Sequence, residues 1–93
     1  MISKTGDRLE VAGAMTFDTA HALLKEGTDM LNSGEAVFDL SAVREVDSTG
    51  LTVIFAWRRA AERLGKSIRI VNPPPSLVSL AALYGVTDLL PVS

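Results

Sequence analysis

Two short apolar runs with a helix-length periodic stretch between them constrain this chain more than any other feature of its sequence. Ala36-Val37-Phe38-Asp39-Leu40 is too brief for a helix, and Ser67 to Asn72 repeats the pattern with Ile68 and Ile70 on one face. Between them, Leu51 to Leu64 places Val53, Ile54, Trp57, Ala60, Ala61 and Leu64 on one stripe of about 120°, wide enough to face a sheet. Gly65 closes that stretch. A strand, a helix and a strand in this order form a right-handed crossover between parallel neighbours, so both runs are expected as buried parallel strands.

The flanks extend the same architecture. Ile2 to Thr5 and Arg8 to Ala12 turn about Gly6-Asp7 as an edge hairpin, and Gly13 ends its second piece. Thr16 is placed to cap a helix, with Asp18 in its first turn against the positive end of the dipole. In that helix Phe17, Ala20, Leu24, Gly27 and Leu31 recur at three- and four-residue steps beside Leu23 and Met30, and Ser33-Gly34 ends it. Ser41 to Glu45 reads as a turn. Pro73-Pro74-Pro75 predicts a stiff extended linker, because proline fixes φ and cannot donate to a ladder. Ser76 then caps a short helix with Leu77, Leu80, Ala81 and Tyr84 on one face; Gly85 ends it, and Thr87 to Leu90 add one last turn. The order β-β-α-β-α-β-α predicts an α/β fold: a small mixed sheet with parallel core strands, an N-terminal antiparallel hairpin and helices packed mainly on one face. With 93 residues and no linker tract, residues 1–93 are expected to form one domain.

Composition narrows the chemistry. The absence of cysteine excludes a disulfide scaffold, a thiol nucleophile and thiolate zinc sites and, with no signal-like segment, favours a cytoplasmic chain. No uninterrupted apolar run exceeds about five residues, against the ~20 that a spanning helix needs. A formal net charge of -2 and few aromatic residues argue against a nucleic-acid surface. His21 is the only histidine and has no catalytic companion nearby in the sequence. There is no Gly-x-Ser-x-Gly elbow or glycine-rich phosphate loop, and Asp39 with Asp47 is too weak a pair for a metal site. The chain is read as no enzyme, without cofactor or metal, working through contacts with another protein.

The densest polar cluster, Asp47-Ser48-Thr49-Gly50, falls where a strand gives way to a helix N-terminus. Free N–H groups and the dipole suit a phosphate or carboxylate there, while Asp, Ser and Thr are equally the commonest helix caps and Gly50 permits close packing. One cap needs one such side chain, and three stand in a row. On the helix that follows, Leu51 and Phe55 lie to one side of the apolar stripe beside Arg58, Arg59 and Glu62. They either widen the core or form an apolar patch with an arginine rim, the usual composition of a protein-docking surface.

Three stretches in order, Val37-Phe38-Asp39-Leu40-Ser41, Val46-Asp47-Ser48-Thr49-Gly50-Leu51 and Ser67-Ile68-Arg69-Ile70-Val71, resemble the STAS domain family, shared by sulfate transporters and anti-sigma factor antagonists. The likeness covers nearly the whole chain and implies a SpoIIAA-like fold. The ending, from Pro75-Ser76-Leu77 through Leu80-Ala81 and Leu83-Tyr84-Gly85-Val86 to Leu89-Leu90-Pro91, is similar to MlaB-type STAS subunits of Mla phospholipid-transport ABC complexes. That resemblance implies a cytoplasmic subunit, peripheral to the inner membrane only through its complex, seated on an ABC-type ATPase with its permease. In it, Ser48 or Thr49 would be the hydroxyl that matters for docking. The anti-sigma factor antagonists imply an alternative partner, an anti-sigma factor kinase. Their phosphorylated residue maps onto Thr49, where threonine stands for the family's usual serine, with Ser48 as second choice.

Overall fold

The strand-forming runs do pair, and they pair for longer than their alternation announces. A computed structural model describes residues 1–31 and 36–92. The elements are β1 (Ile2–Thr5), β2 (Arg8–Met15), α1 (Ala20–Met30), β3 (Ala36–Val46), α2 (Ser48–Arg63), β4 (Ile68–Val71) and α3 (Pro75–Leu83), followed by a 3-10 turn at Thr87–Leu89. The sheet order is β1-β2-β3-β4, antiparallel at the hairpin and parallel elsewhere, as expected. Val92 makes an isolated parallel bridge to Ile70, on β4.

Two of the expected strand ends are corrected. Gly13 does not end β2, which runs to Met15, and Ser41 to Glu45 is not a turn but the second half of β3. The physical reason is a pair of register shifts, between Glu10 and Ala12 and between Gly13 and Ala14, each adding one residue on the β3 side. They throw buried Val43 out of phase with buried Phe38 and Leu40, so the period-2 signal breaks while the ladder continues. Gly13 takes φ +92 at the second shift, a conformation that a side chain would strain.

The helix starts also move. Thr16 does not cap α1; Thr19 occupies that position, and its hydroxyl donates to the Ala14 carbonyl and accepts the Thr16 N–H. Phe17 and Asp18 therefore precede the helix, and Phe17 is 79% exposed rather than core. The expected helix end at Ser33-Gly34 lies outside the described residues. Ser76 is likewise inside α3, which Pro74 caps and Pro75 begins, since the fixed φ of proline suits the first turn. Leu24, Leu64 and Tyr84, expected on buried faces, are exposed at the margins of theirs.

One apolar cluster holds the helices to the sheet and includes Leu77 and Ala81 of α3. At its centre the indole of Trp57 stacks on Phe38, ring centroids 4.3 Å apart and ring planes nearly parallel. The Trp57 Nε1–H donates to the Leu23 carbonyl at 3.1 Å, so this buried donor is satisfied and α2 is locked against α1. On the open face of the sheet, Asp39 accepts the Ser41 N–H at 2.9 Å, the Asn72 side-chain amide at 3.1 Å and the Arg8 guanidinium at 3.2 Å. No helix among the described residues is long and apolar enough to cross a membrane.

Candidate functional site

β3 and α2 are separated by a single residue, Asp47, and the site is built around its carboxylate. With extended backbone at φ -123, Asp47 caps α2 by accepting the Thr49 N–H on Oδ1 at 2.8 Å. Its Oδ2 accepts the Phe17 N–H at 3.1 Å, which ties the β2–α1 loop to the β3–α2 junction. The Phe17 N–H, with the Thr49 N–H behind it, holds this carboxyl below its ordinary value. The capping reading is thus right for Asp47, and the anion at this helix N-terminus is the chain's own. Gly50 fits because it has no side chain: a Cβ there would stand 2.7 Å from the Met15 carbonyl oxygen. The close approach it permits keeps α2 hard against the end of β2.

Helix α2 begins at Ser48, three residues before the expected start at Leu51, so both hydroxyls ride on its first turn. Ser48 is exposed and Thr49 half-buried. Beside them opens a shallow hollow of about 300 Å³ lined by Ser48, Thr49, Leu51, Thr52, Phe55, Tyr84 and Val86. A second hollow of about 230 Å³ is lined by Phe55, Arg58, Arg59, Glu62 and Leu89. The two adjoin at Phe55 and together make up the groove along α2, with Tyr84, Val86 and Leu89 on its far side. Arg58 holds that side: its Nη1 donates to the Leu89 carbonyl at 2.8 Å, and its Nε lies 3.8 Å from Glu62.

The structure therefore brings Ser48, Thr49, Phe55, Arg58, Arg59 and Glu62 together along one surface. Asp47 and Gly50 lie beneath it as cap and spacer. Leu51 differs from the expected patch residue, being only 4% exposed; it belongs to the core and shows the groove little more than an edge. Phe55 is half-buried and does both jobs, packing on the core and joining the two hollows. Sequence reasoning missed Thr52, Tyr84, Val86 and Leu89, which complete the groove. The signal available was the apolar Tyr84-Gly85-Val86 run just after α3, where Gly85 stops the helix and turns the chain towards α2. It also missed Phe17, whose aromatic ring stands exposed where the two loops meet.

Comparison with known proteins bears on this arrangement. Residues 1–91 match the family model described as Mlab, STAS domain. The chain is 35% identical over 51 residues to the intermembrane phospholipid transport system binding protein MlaB of Haemophilus influenzae. That match spans 55% of this chain and 49% of the relative, about half the length of each. Among solved structures, an anti-sigma factor antagonist from Mycobacterium paratuberculosis superposes with a TM-score of 0.75 at 24% identity, over 99% of this chain and 81% of that one. The anti-sigma factor antagonist SpoIIAA in its unphosphorylated form gives 0.66 at 10% identity, over 89% of this chain and 81% of its own. At such identities these two structures speak for the fold.

Proposed function

Because the chain belongs to the MlaB-type STAS domain family, we propose that it is a non-catalytic subunit that binds the ATPase of an Mla-type ABC transporter, with its permease, and regulates or stabilises it in intermembrane phospholipid transport. The observation that carries this reading is the groove along α2, with two hydroxyls at one end and an apolar floor. An aromatic centre with a polar rim suits protein docking. In this role the chain is cytoplasmic and reaches the membrane only through its partner.

Co-expression with the cognate ATPase and permease tests the proposal. The expected outcome is recovery of all three together, reduced by about tenfold or more with Thr49→Arg, which drives a long cation into the hydroxyl end of the groove. Recovery of this chain alone, or a complex indifferent to Thr49→Arg, would overturn it. The second reading, an anti-sigma factor antagonist switched by phosphorylation at Thr49, is favoured by the fold it shares with SpoIIAA. Against it, Thr49 is half-buried and its N–H is bound by the Asp47 carboxylate, next to which ~1.5 to 2 added negative charges would be repelled. Mass spectrometry after incubation with an anti-sigma factor kinase and ATP separates the readings: a phosphate on Thr49 or Ser48 favours the switch.

A further inference from the structure

Charge is divided unevenly along this chain. Residues 1–47 hold four Lys and Arg against nine Asp and Glu, whereas residues 48–93 hold five against two, a net of -5 and then +3. The fold concentrates part of that second charge on the outer face of α2. At 100° per residue Ser48, Thr52, Phe55, Arg59 and Glu62 fall within about 80° of one another, with Arg63 on the flank. The stripe thus runs from hydroxyls through an aromatic ring to cations.

Its three arginines are not equivalent. Arg58 is engaged by the Leu89 carbonyl and by Glu62, so it braces the groove wall and offsets the one acidic residue on the stripe. Arg59 is exposed, lines the outer hollow and makes no hydrogen bond or ion pair with any described residue; the same holds for exposed Arg63. Two unpaired guanidinium groups, four residues apart on one helix, present forked donors suited to carboxylates.

We infer that the groove receives an amphipathic helix of the partner, whose apolar residues cover Phe55 and whose carboxylates meet Arg59 and Arg63. The inference rests on the docking function proposed above and deepens it by stating the chemistry of the docked segment. Three observations select this occupant. From Ser48 to Glu62 the stripe is about 21 Å long, equal to roughly four turns of a partner helix laid beside it. Its two hollows are open and side-chain-sized, made for anchor residues at successive turns rather than for enclosing a small molecule. Finally, Glu62 stands among the arginines that line the outer hollow. A uniformly anionic lipid surface would meet that carboxylate head-on, whereas a protein helix can place a neutral residue opposite it.

The full chain and its cognate ABC-type ATPase provide the test, with affinity measured across a salt series and circular dichroism confirming that each variant is folded. Arg59→Glu and Arg63→Glu are expected to weaken binding by about tenfold or more and to flatten its salt dependence. Arg69→Glu, an exposed arginine on the sheet face away from the helices, should stay within about twofold of the parent chain, since an exposed charge remote from the contact is screened. In Arg59→Lys, carbodiimide should couple the new amine to an Asp or Glu of one ATPase helix, identified by mass spectrometry. Binding that is intact in both charge reversals overturns the inference and leaves the docking function standing; no binding by the parent chain overturns both. Arg59-dependent binding to phosphatidylglycerol vesicles without binding to the ATPase would assign the face to the membrane instead and overturn the inference.

Discussion

Asp39 carries three hydrogen bonds on the open face of the sheet, and its acidity follows from them. The Ser41 N–H, supported by the Asn72 amide and the Arg8 guanidinium, outweighs the effect of burial and lowers its pKa from 3.8 to about 2. Between those values the unfolded chain binds the proton that the folded chain refuses. Stability from this group is therefore complete above about pH 4 and is lost as pH falls towards 2. Urea midpoints for the parent chain and Asp39→Asn should converge as pH drops through this window, because the variant has no charge to lose; parallel acid limbs would refute the assignment. Asp47 acts in the same direction through the Phe17 and Thr49 N–H groups. Both carboxylates were visible in the sequence as members of motifs, and each has one local partner two residues on, Ser41 for Asp39 and Thr49 for Asp47. Arg8 and Asn72 reach Asp39 across 31 and 33 positions, a proximity that no local pattern encodes.

Among the elements, α2 was the most legible and β3 the least. Of the six residues read onto the apolar stripe, Val53, Ile54, Trp57 and Ala61 are buried, Ala60 is half-buried and Leu64, at the C-terminal end, is exposed; a single face packing on a sheet leaves a 3.6-residue period. In β3 the ladder slips twice, and a period-2 reading stops at the first slip. The fit between α1 and α2 was hidden as well. Gly27 looked like one more small residue on an apolar face, yet a Cβ there would run into the Trp57 indole. Gly27→Ala improves helix propensity by about 1 kcal/mol but must push the ring off Phe38 and off the Leu23 carbonyl. A net loss of about 1–3 kcal/mol is expected, read as a lower thermal midpoint with altered Trp57 emission. An unchanged or higher midpoint would show that the helices can part without cost.

The molecule as a whole is polar in its layout. Asp47, Phe17, Ser48 and the start of the groove gather at the ends where β2 and β3 finish, the place where open α/β sheets commonly bind. The Gly6-Asp7 turn sits at the other end of β2, about 25 Å away for an eight-residue strand. A short Gly-Ser insertion in that turn should leave affinity for the ATPase within about twofold, because loop closure grows only slowly with length. A loss comparable to that of Thr49→Arg would place the hairpin end in the contact. The topology itself was legible from the alternation of runs, since crossover handedness leaves few alternatives. The working surface was legible only in part: its α2 half is one periodic segment, while its other half comes from residues that follow α3 and meet α2 only in three dimensions.

The double use of Asp47 reaches into how such a chain can change over generations. One oxygen serves the loop before α1 and the other the first turn of α2, across a separation of 30 positions for the Phe17 contact. Lengthening the segment from Thr16 to Thr19 by one residue would slide the Phe17 N–H off its acceptor and disturb a helix cap in a distant part of the chain. An insertion or deletion in the first loop would therefore be felt at the second, and the spacing of one constrains the other.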